Sequence, residues 1–446
     1  MTLKFGTDGV RGVANSELTP ELALALGRAS ARVLGGDRWL VGRDTRRSGP
    51  MLAAALAAGL ASEGVEVIDL GVLPTPGVAF LAGSEQVPAA MISASHNPFA
   101  DNGIKLFATG GRKLTDQVEE AVETELALLS SPVEALSRRE GINVGTIDAD
   151  PAAVARYRDH LVHTVLDGRS LAGLRVVIDA ANGAASAFAA DVLQGVGATV
   201  VVIHDQPNGT NINDRCGATH TESLQAAVLA EGADVGLALD GDADRALAVD
   251  AAGQPVDGDH LIGLCAIDLH TRGRLTGDAV AVTVMSNLGF HQGMAAHGIR
   301  VVTTDVGDRY VLEAIDAGGL ALGGEQSGHV IFRHLAATGD GLLTGLCVLD
   351  AMVRAGRPLA ELAADAMTQL PQVLINVRLD RRRPELMAEL EPDVVTAEAA
   401  LGDRGRVLLR PSGTEPLIRV MVEAPSSEEA SEVAERLARA VRERAG

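Results

Sequence analysis

At 446 residues the chain is too long for one ordinary hydrophobic core and should divide into roughly three or four compact units. Hydrophobic residues make up 47% and charged residues 22%, as in a folded globular protein, while aromatics at 2% are so scarce that the cores must be built from Leu, Val, Ile and Ala. A formal charge of -21 argues against sequence-independent binding of nucleic acid, and a small anionic substrate would need a local basic pocket.

Helix-like and strand-like patterns alternate from the start, as in a parallel or mixed α/β sheet. Thr19 is a helix N-cap, with Pro20 at the first helical position and Leu22, Leu26, Ala29 and Val33 on one face. A short apolar run at 39–41, an Ala-rich helix from Pro50 and a strand at 65–70 follow. The alternation returns twice: strands at 175–178 and 199–203 flank a small-residue helix, and strands at 279–284 and 300–303 flank another. No residue-level repeat is clear, but three successive α/β units of similar size are the simplest reading.

The last segment differs in kind. After Pro371 come a strand at 373–379, a polar helix rich in Arg and Glu, and strands around Val407 and Val420. A final helix opens with Ser426 and Glu429 in capping-box spacing and carries Ala430, Val433, Leu437 and Val441 on one face. The expectation is three α/β domains, 1–150, 151–255 and 256–370, followed by a smaller α+β domain, 371–446. Cys216, Cys265 and Cys347 are odd in number and far apart, which gives neither a disulfide framework nor a spaced zinc site and suits a reducing compartment. No apolar signal core opens the sequence, and the longest apolar run, 51–61, is too short to span a bilayer, so a cytoplasmic protein without membrane attachment is expected.

Four segments could carry chemistry. In Met91-Ile-Ser-Ala-Ser95-His96-Asn97-Pro98 a buried-looking strand runs into a polar turn, where a fixed hydroxyl can act as nucleophile or phosphoryl carrier, although the residues also suit a plain turn. Lys105 follows the turn-prone Asp101-Asn102-Gly103 and could return a cation to the same place. Asp240-Gly241-Asp242-Ala243-Asp244-Arg245 follows an apolar strand; in extended chain its three carboxylates share a side, Gly241 and Ala243 leave room for the loop to curl, and such crowding calls for one hard cation. Gly323-Gly324-Glu325-Gln326-Ser327-Gly328-His329 joins strand-like runs at 320–322 and 330–332, and Glu325, Ser327 and His329 could bond sugar hydroxyls from one rim, unless the segment is only a glycine-rich hairpin. Arg410-Pro-Ser412-Gly413-Thr414-Glu-Pro416, with Arg419 beyond, offers guanidinium forks, hydroxyls and backbone N–H groups to a phosphate, or forms a simple hairpin turn. Gly9-Val-Arg11-Gly12 and Gly42-Arg43-Asp44-Thr45-Arg46 are further phosphate contacts or surface turns.

In order and chemistry these segments resemble the α-D-phosphohexomutase family over the whole chain. Ser93-Ala-Ser95-His-Asn-Pro98 is similar to that family's phosphoserine loop, Asp240-Gly-Asp-Ala-Asp-Arg245 to its metal loop, Gly324-Glu-Gln-Ser-Gly-His329 to its sugar-binding loop and Arg410-Pro-Ser-Gly-Thr414 to its phosphate-binding loop. Phe5-Gly-Thr-Asp-Gly-Val-Arg-Gly12, Glu325-Gln326-Ser327 and the run from Pro411 to Glu423 are most similar to the bacterial members that act on glucosamine phosphate. The resemblance implies three mixed α/β domains of shared topology, a separate small fourth domain, and an active site in the central cleft. It implies that phospho-Ser95 exchanges its phosphoryl group with a hexosamine phosphate through a 1,6-bisphosphate. One Mg2+ would be held by Asp240, Asp242, Asp244 and a phosphoryl oxygen on Ser95. Arg245 and Arg11 would add positive potential, and Lys105 or His96 would accept the proton. Gly413, with Arg410, Ser412, Thr414 and Arg419, would grip the phosphate that is not reacting. The partner is then a small hexosamine phosphate, with neither nucleic acid nor membrane; the sequence leaves the oligomeric state open, a homodimer being one form.

Overall fold

The computed structural model describes residues 9–129, 139–381, 383, 385–412 and 416–445. Its strands fall into four sheets. The first holds β1 (Val10–Val13), β2 (Arg38–Arg43), β3 (Glu66–Val72), β4 (Ala89–Ile92), β5 (Asp101–Ala108), β6 (Arg112–Lys113) and β7 (Ile147–Ala149), in the order β1-β5-β4-β2-β3-β7 with β6 on β5. The second holds β8 (Arg175–Asp179), β9 (Thr199–Ile203), β10 (Val235–Leu239), β11 (Ala246–Asp250) and β12 (Pro255–Val256), in the order β12-β11-β10-β8-β9. The third holds β13 (Ala279–Thr283), β14 (Arg300–Thr304), β15 (Leu322–Gly324) and β16 (Val330–Phe332), in the order β14-β13-β15-β16.

One plan recurs in all three. Two parallel strands and a third on the far side of the first (β3-β2-β4, β9-β8-β10, β14-β13-β15) are completed by an antiparallel fourth (β5, β11, β16). The hairpin from third to fourth strand leaves the carboxyl end of a buried strand, where α/β sheets present ligand-binding groups. Those three hairpins are 93–100, 240–245 and 325–329, which are the segments singled out from the sequence.

Helices pack on the sheets as the composition requires. Thr19 Oγ1 accepts the Leu22 N–H (3.3 Å), capping the helix Pro20–Leu34. That helix packs on Gly49–Ser62 almost backbone to backbone: a Cβ on Gly59 would stand 2.1 Å from the Leu24 carbonyl oxygen, and one on Gly27 would stand 2.3 Å from that of Leu56. Small residues thus replace aromatics as the means of dense packing.

The described chain clusters into two compact units, Met1–Met285 with Gly298–Ala364, and Ser286–His297 with Asp365–Gly446. The second contains an antiparallel sheet of β17 (Gln372–Arg378), β18 (Arg406–Pro411) and β19 (Leu417–Glu423) in the order β17-β19-β18. The helices Leu386–Leu401 and Ser427–Ala445 cover it, burying Leu386, Leu390, Val433 and Leu437. Ser426 Oγ accepts the Glu429 N–H (3.2 Å), as the capping-box spacing requires. Arg381 and Arg383 precede the first of these helices and lie outside it. Among the described residues no helix is long and apolar enough to cross a membrane.

Candidate active site

Ser95 lies just past β4, 1% exposed, in left-handed backbone conformation (φ +52°). Few non-glycine residues adopt it, so the surroundings must hold it there. Ser93 Oγ accepts the Ser95 N–H (2.9 Å) and donates to Asp44 Oδ2 (2.7 Å). The Ser95 carbonyl oxygen receives Asn213 Nδ2 (2.8 Å) and Arg46 Nη2 (3.1 Å), and the same two side chains reach the Asn97 carbonyl at 3.1 and 2.5 Å. Arg46, which the sequence leaves as a phosphate contact or surface turn, is instead fully buried, ion-paired to Asp44 and spent on the Ser95 loop. Asn213 escaped notice because nothing in the sequence marks one Asn in a polar loop.

The hydroxyl so presented points at the second sheet. Ser95 Oγ donates to Asp240 Oδ2 at 2.5 Å, and His96 Nδ1 lies 3.5 Å away. The three carboxylates converge as the alternate spacing leads one to expect, with the curl falling at Ala243, one of the two small residues that leave room for it. The segment curls, with Ala243 at φ +55° and its N–H on the Asp240 carbonyl (3.0 Å), and the three carboxylates reach within 4.8 Å of one another. The helix Gly341–Ala355 starts beneath it, Gly341 N–H donating to the Ala243 carbonyl (2.9 Å). That helix is capped by the buried Asp340, whose Oδ1 accepts the Leu343 N–H (3.0 Å) and whose Oδ2 accepts the Tyr157 hydroxyl (2.7 Å).

Lys105, on β5, donates to Asp242 Oδ2 (2.8 Å) and Asp244 Oδ2 (3.2 Å), and Thr75 Oγ1 donates to Asp242 Oδ2 (2.5 Å). Among the described residues Asp242 Oδ1 is buried with no hydrogen-bond partner and Asp244 Oδ1 has His329 Nδ1 no nearer than 3.8 Å, a costly state for carboxylate oxygens unless a cation takes them. Three buried carboxylates with oxygens left over fit a hard divalent cation such as Mg2+. Burial and the other two aspartates hold the Asp240 carboxyl well above the usual range, which an added cation would reverse. Against the same burial, Lys105 keeps Asp242 low, and Lys105 with His329 and Arg245 keeps Asp244 lower still. Arg245 Nη1 lies 3.0 Å from His96 Nδ1. Burial, Arg245 and Arg11 together push the His96 imidazole down to about 4, so it is neutral at neutral pH. Arg11, on β1 opposite Gly103, therefore belongs to this neighbourhood.

From the third sheet, Glu325 Oε1 accepts the Gly307 N–H (3.2 Å) and Ser327 is exposed on the loop. His329 is not on that rim. It is 2% exposed, with Nδ1 3.8 Å from Asp244 Oδ1 and Nε2 3.3 Å from Asp308 Oδ2, and it links the sugar-loop segment to the acidic one. In the second compact unit, Arg410 and Arg419 are paired across β18 and β19, and Ser412 N–H bonds the Leu417 carbonyl (2.9 Å). Like charges directly opposite one another repel unless an anion is shared between them. Gly413 and Thr414 lie outside the described residues.

Four domain profiles of phosphoglucomutase/phosphomannomutase match in chain order: the alpha/beta/alpha domains I, II and III over residues 2–131, 155–253 and 257–370, and the C-terminal domain over 374–440. The chain is 55% identical over 456 aligned residues to a phosphoglucosamine mutase of Frankia alni, covering 99% of this chain and 98% of that protein. It is 53% identical over 445 to one of Rhodococcus opacus, covering 97% and 98%. A crystal structure of a phosphoglucomutase/phosphomannomutase family protein from Burkholderia thailandensis superposes with a TM-score of 0.82 at 26% identity, covering 99% of this chain and 98% of that one. Three repeats that each aim the same hairpin at one acidic, serine-bearing centre, a fourth unit matched by the C-terminal profile, and relatives alike over the full length lead to one conclusion: the chain belongs to the phosphoglucomutase/phosphomannomutase family.

Proposed function

We propose that this chain is a cytoplasmic phosphoglucosamine mutase, interconverting glucosamine 6-phosphate and glucosamine 1-phosphate and so feeding UDP-N-acetylglucosamine and cell-wall precursor synthesis. The observation that carries the reading is the buried Ser95 hydroxyl, 2.5 Å from an aspartate whose two companions each keep an oxygen without a hydrogen bond among the described residues. An isolated serine has no reason to be held in a strained loop against three carboxylates; a phosphoryl carrier beside a cation does. The names of the full-length relatives support glucosamine as the sugar.

In this mechanism phospho-Ser95 gives its phosphoryl group to O1 of glucosamine 6-phosphate. The bond from phosphorus to Ser95 Oγ breaks as the bond to O1 forms, and the O1 proton passes to a base. The resulting 1,6-bisphosphate turns around and returns its 6-phosphate to Ser95, leaving glucosamine 1-phosphate. Mg2+ held by Asp240, Asp242, Asp244 and the Ser95 phosphoryl group would neutralise charge on the transferring group. Arg245 and Arg11 add positive potential beside His96. For the base, His96 is favoured by its neutral state, while Lys105, whose ammonium is held by two of the aspartates, would serve only after losing a proton. Glu325 and Ser327 are proposed to bond the sugar, with His329 steadying their loop from beneath. Arg410, Ser412, Gly413, Thr414 and Arg419 are proposed to hold the non-reacting phosphate.

Phosphate migration on glucosamine 6-phosphate, glucose 6-phosphate and mannose 6-phosphate, assayed side by side with Mg2+, tests the reading. Glucosamine 6-phosphate should give the highest kcat/KM, mass spectrometry should map one phosphate to Ser95, and Ser95→Ala should lose nearly all turnover while staying folded. Equal or higher kcat/KM on glucose 6-phosphate would reassign the substrate, and a fully active Ser95→Ala would end the phosphoserine mechanism.

A further inference from the structure

A second cluster of metal-binding side chains lies away from the aspartate triad. Asp179 ends β8, His204 directly follows β9, and Cys216 lies at the end of the loop that leaves β9. One ligand atom from each comes within 4.8 Å of the others. The sequence gives no hint of this, because the three are far apart and in no familiar spacing; the parallel pairing of β8 with β9 brings their carboxyl ends together.

Several features point to a ligand here. Asp179 and Cys216 are wholly buried, while the His204 side chain keeps an edge to solvent. His204 Nδ1 stands 3.0 Å from Asp179 Oδ2, so the imidazole and the carboxylate already face one another as two ligands of one ion would. Two donor atoms each bound ~2.0 Å from one tetrahedral metal are about 3.3 Å apart, near the observed separation. The backbone around the three ligands is bent. Ala181, Asn182, His204, Asn213 and Arg215 all have positive φ, at 54°, 48°, 50°, 58° and 53°. Asp179 is also fixed in orientation, Oδ1 accepting the Ala181 N–H and Oδ2 the Gly217 N–H, both at 2.9 Å. A carboxylate oxygen that accepts one N–H keeps a second lone pair.

We propose that Asp179, His204 and Cys216 form a structural site for a borderline-soft divalent cation of the zinc class, distinct from the hard-cation site at the aspartate triad. Sulfur, imidazole nitrogen and a single carboxylate suit zinc and are poor ligands for Mg2+. On binding, Cys216 Sγ releases its proton to solvent and takes the metal, and the exposed edge of His204 leaves the fourth position to water. The site pins the loop 204–217, and that loop serves the nucleophile: Asn213 Nδ2 holds the Ser95 and Asn97 carbonyls, and the Gly209 carbonyl accepts the Arg47 N–H (2.9 Å). A zinc-class ion would thus stiffen the support of Ser95 without touching substrate.

The test uses the full-length protein in excess Mg2+, titrated with Co2+ as a spectroscopic stand-in for zinc. The expected result is a thiolate-to-cobalt charge-transfer band saturating at about one Co2+ per chain, insensitive to Mg2+ and abolished by Zn2+. Cys216→Ser should remove the band, and Cys347→Ser should leave it. His204→Gln should weaken Zn2+ binding at least about tenfold, read by competition with a chromophoric chelator. Hydrogen exchange across 204–217 should slow on adding Zn2+ to the wild-type chain. Absence of the band in wild-type protein, or a band that survives Cys216→Ser, overturns the proposal. If Cys216→Ser does not fold, the wild-type titration and His204→Gln still decide it, since wild-type Zn2+ affinity retained in His204→Gln also refutes the site.

Discussion

Arg46→Met is the most informative perturbation of the Ser95 support. Arg46 and Asp44 are both fully buried, and the guanidinium also bonds the Ser95 and Asn97 carbonyls. Removing one partner of a buried ion pair costs about 3–5 kcal/mol, mostly because the other charge is stranded. Burial already pushes the Asp44 carboxyl up, so it can take a proton when Arg46 is gone, and the lower end of that range, ~3 kcal/mol, is expected. With a urea m-value of ~2 kcal/mol/M, the midpoint should fall by about 1.5 M. The sole tryptophan, Trp39, is buried in β2 of the same sheet, so its fluorescence follows the unfolding of this region alone. In Asp44→Asn/Arg46→Met the stranded charge is absent, and ~1–2 kcal/mol should return relative to the single variant. A single variant within about 0.5 kcal/mol of wild type, or a double variant no better than the single, would refute the argument that this pair holds the nucleophile loop.

Two further outcomes are expected. Asp340 is pushed up to about 6 by burial, so its contribution to stability is full below the unfolded carboxyl pKa near 4 and is lost as pH rises through 6; the stability difference between wild type and Asp340→Asn, followed by urea unfolding from pH 4 to 7, should move against wild type by this amount. A flat difference would show that Asp340 is not forced to ionise in place. Arg410→Ala should raise KM at least about tenfold in both directions of the mutase reaction, because a guanidinium that reads phosphate alone serves both orientations of the substrate; unchanged KM values would remove the fourth unit from the phosphate grip.

Much of the architecture was legible in the sequence because alternation of period and caps is local. Thr19, the strand at 199–203 and the Ser426–Glu429 cap all stand where the pattern puts them. The repeat was legible only as a rhythm of elements, since sheet order is set by long-range pairing that leaves no mark on single residues. For the same reason the serine and the aspartates announced themselves through short motifs, whereas Arg46, Asn213 and the cluster at Asp179, His204 and Cys216 did not. Their partners are as much as 118 positions away along the chain. The curl of residues 240–245 was legible from the small Gly241 and Ala243, but not the left-handed conformation of Ala243 on which it rests, since alanine has no preference for it. His329 reads from its loop as a rim residue, yet it is buried because Asp244 and Asp308 come from elsewhere in the chain to meet it.

The Ser95 carbonyl is shared between Arg46 of the first sheet and Asn213 of the second, and its hydroxyl rests on Asp240 of the second. That arrangement works as an interlock. If the two sheets part, to admit a sugar or let one go, the serine loses one of its carbonyl donors and its aspartate in the same movement. A phosphoryl group on Ser95 would remove the proton that Oγ donates to Asp240, so the two carbonyl donors would then hold the loop by themselves unless a cation joined the phosphoryl group to the aspartate.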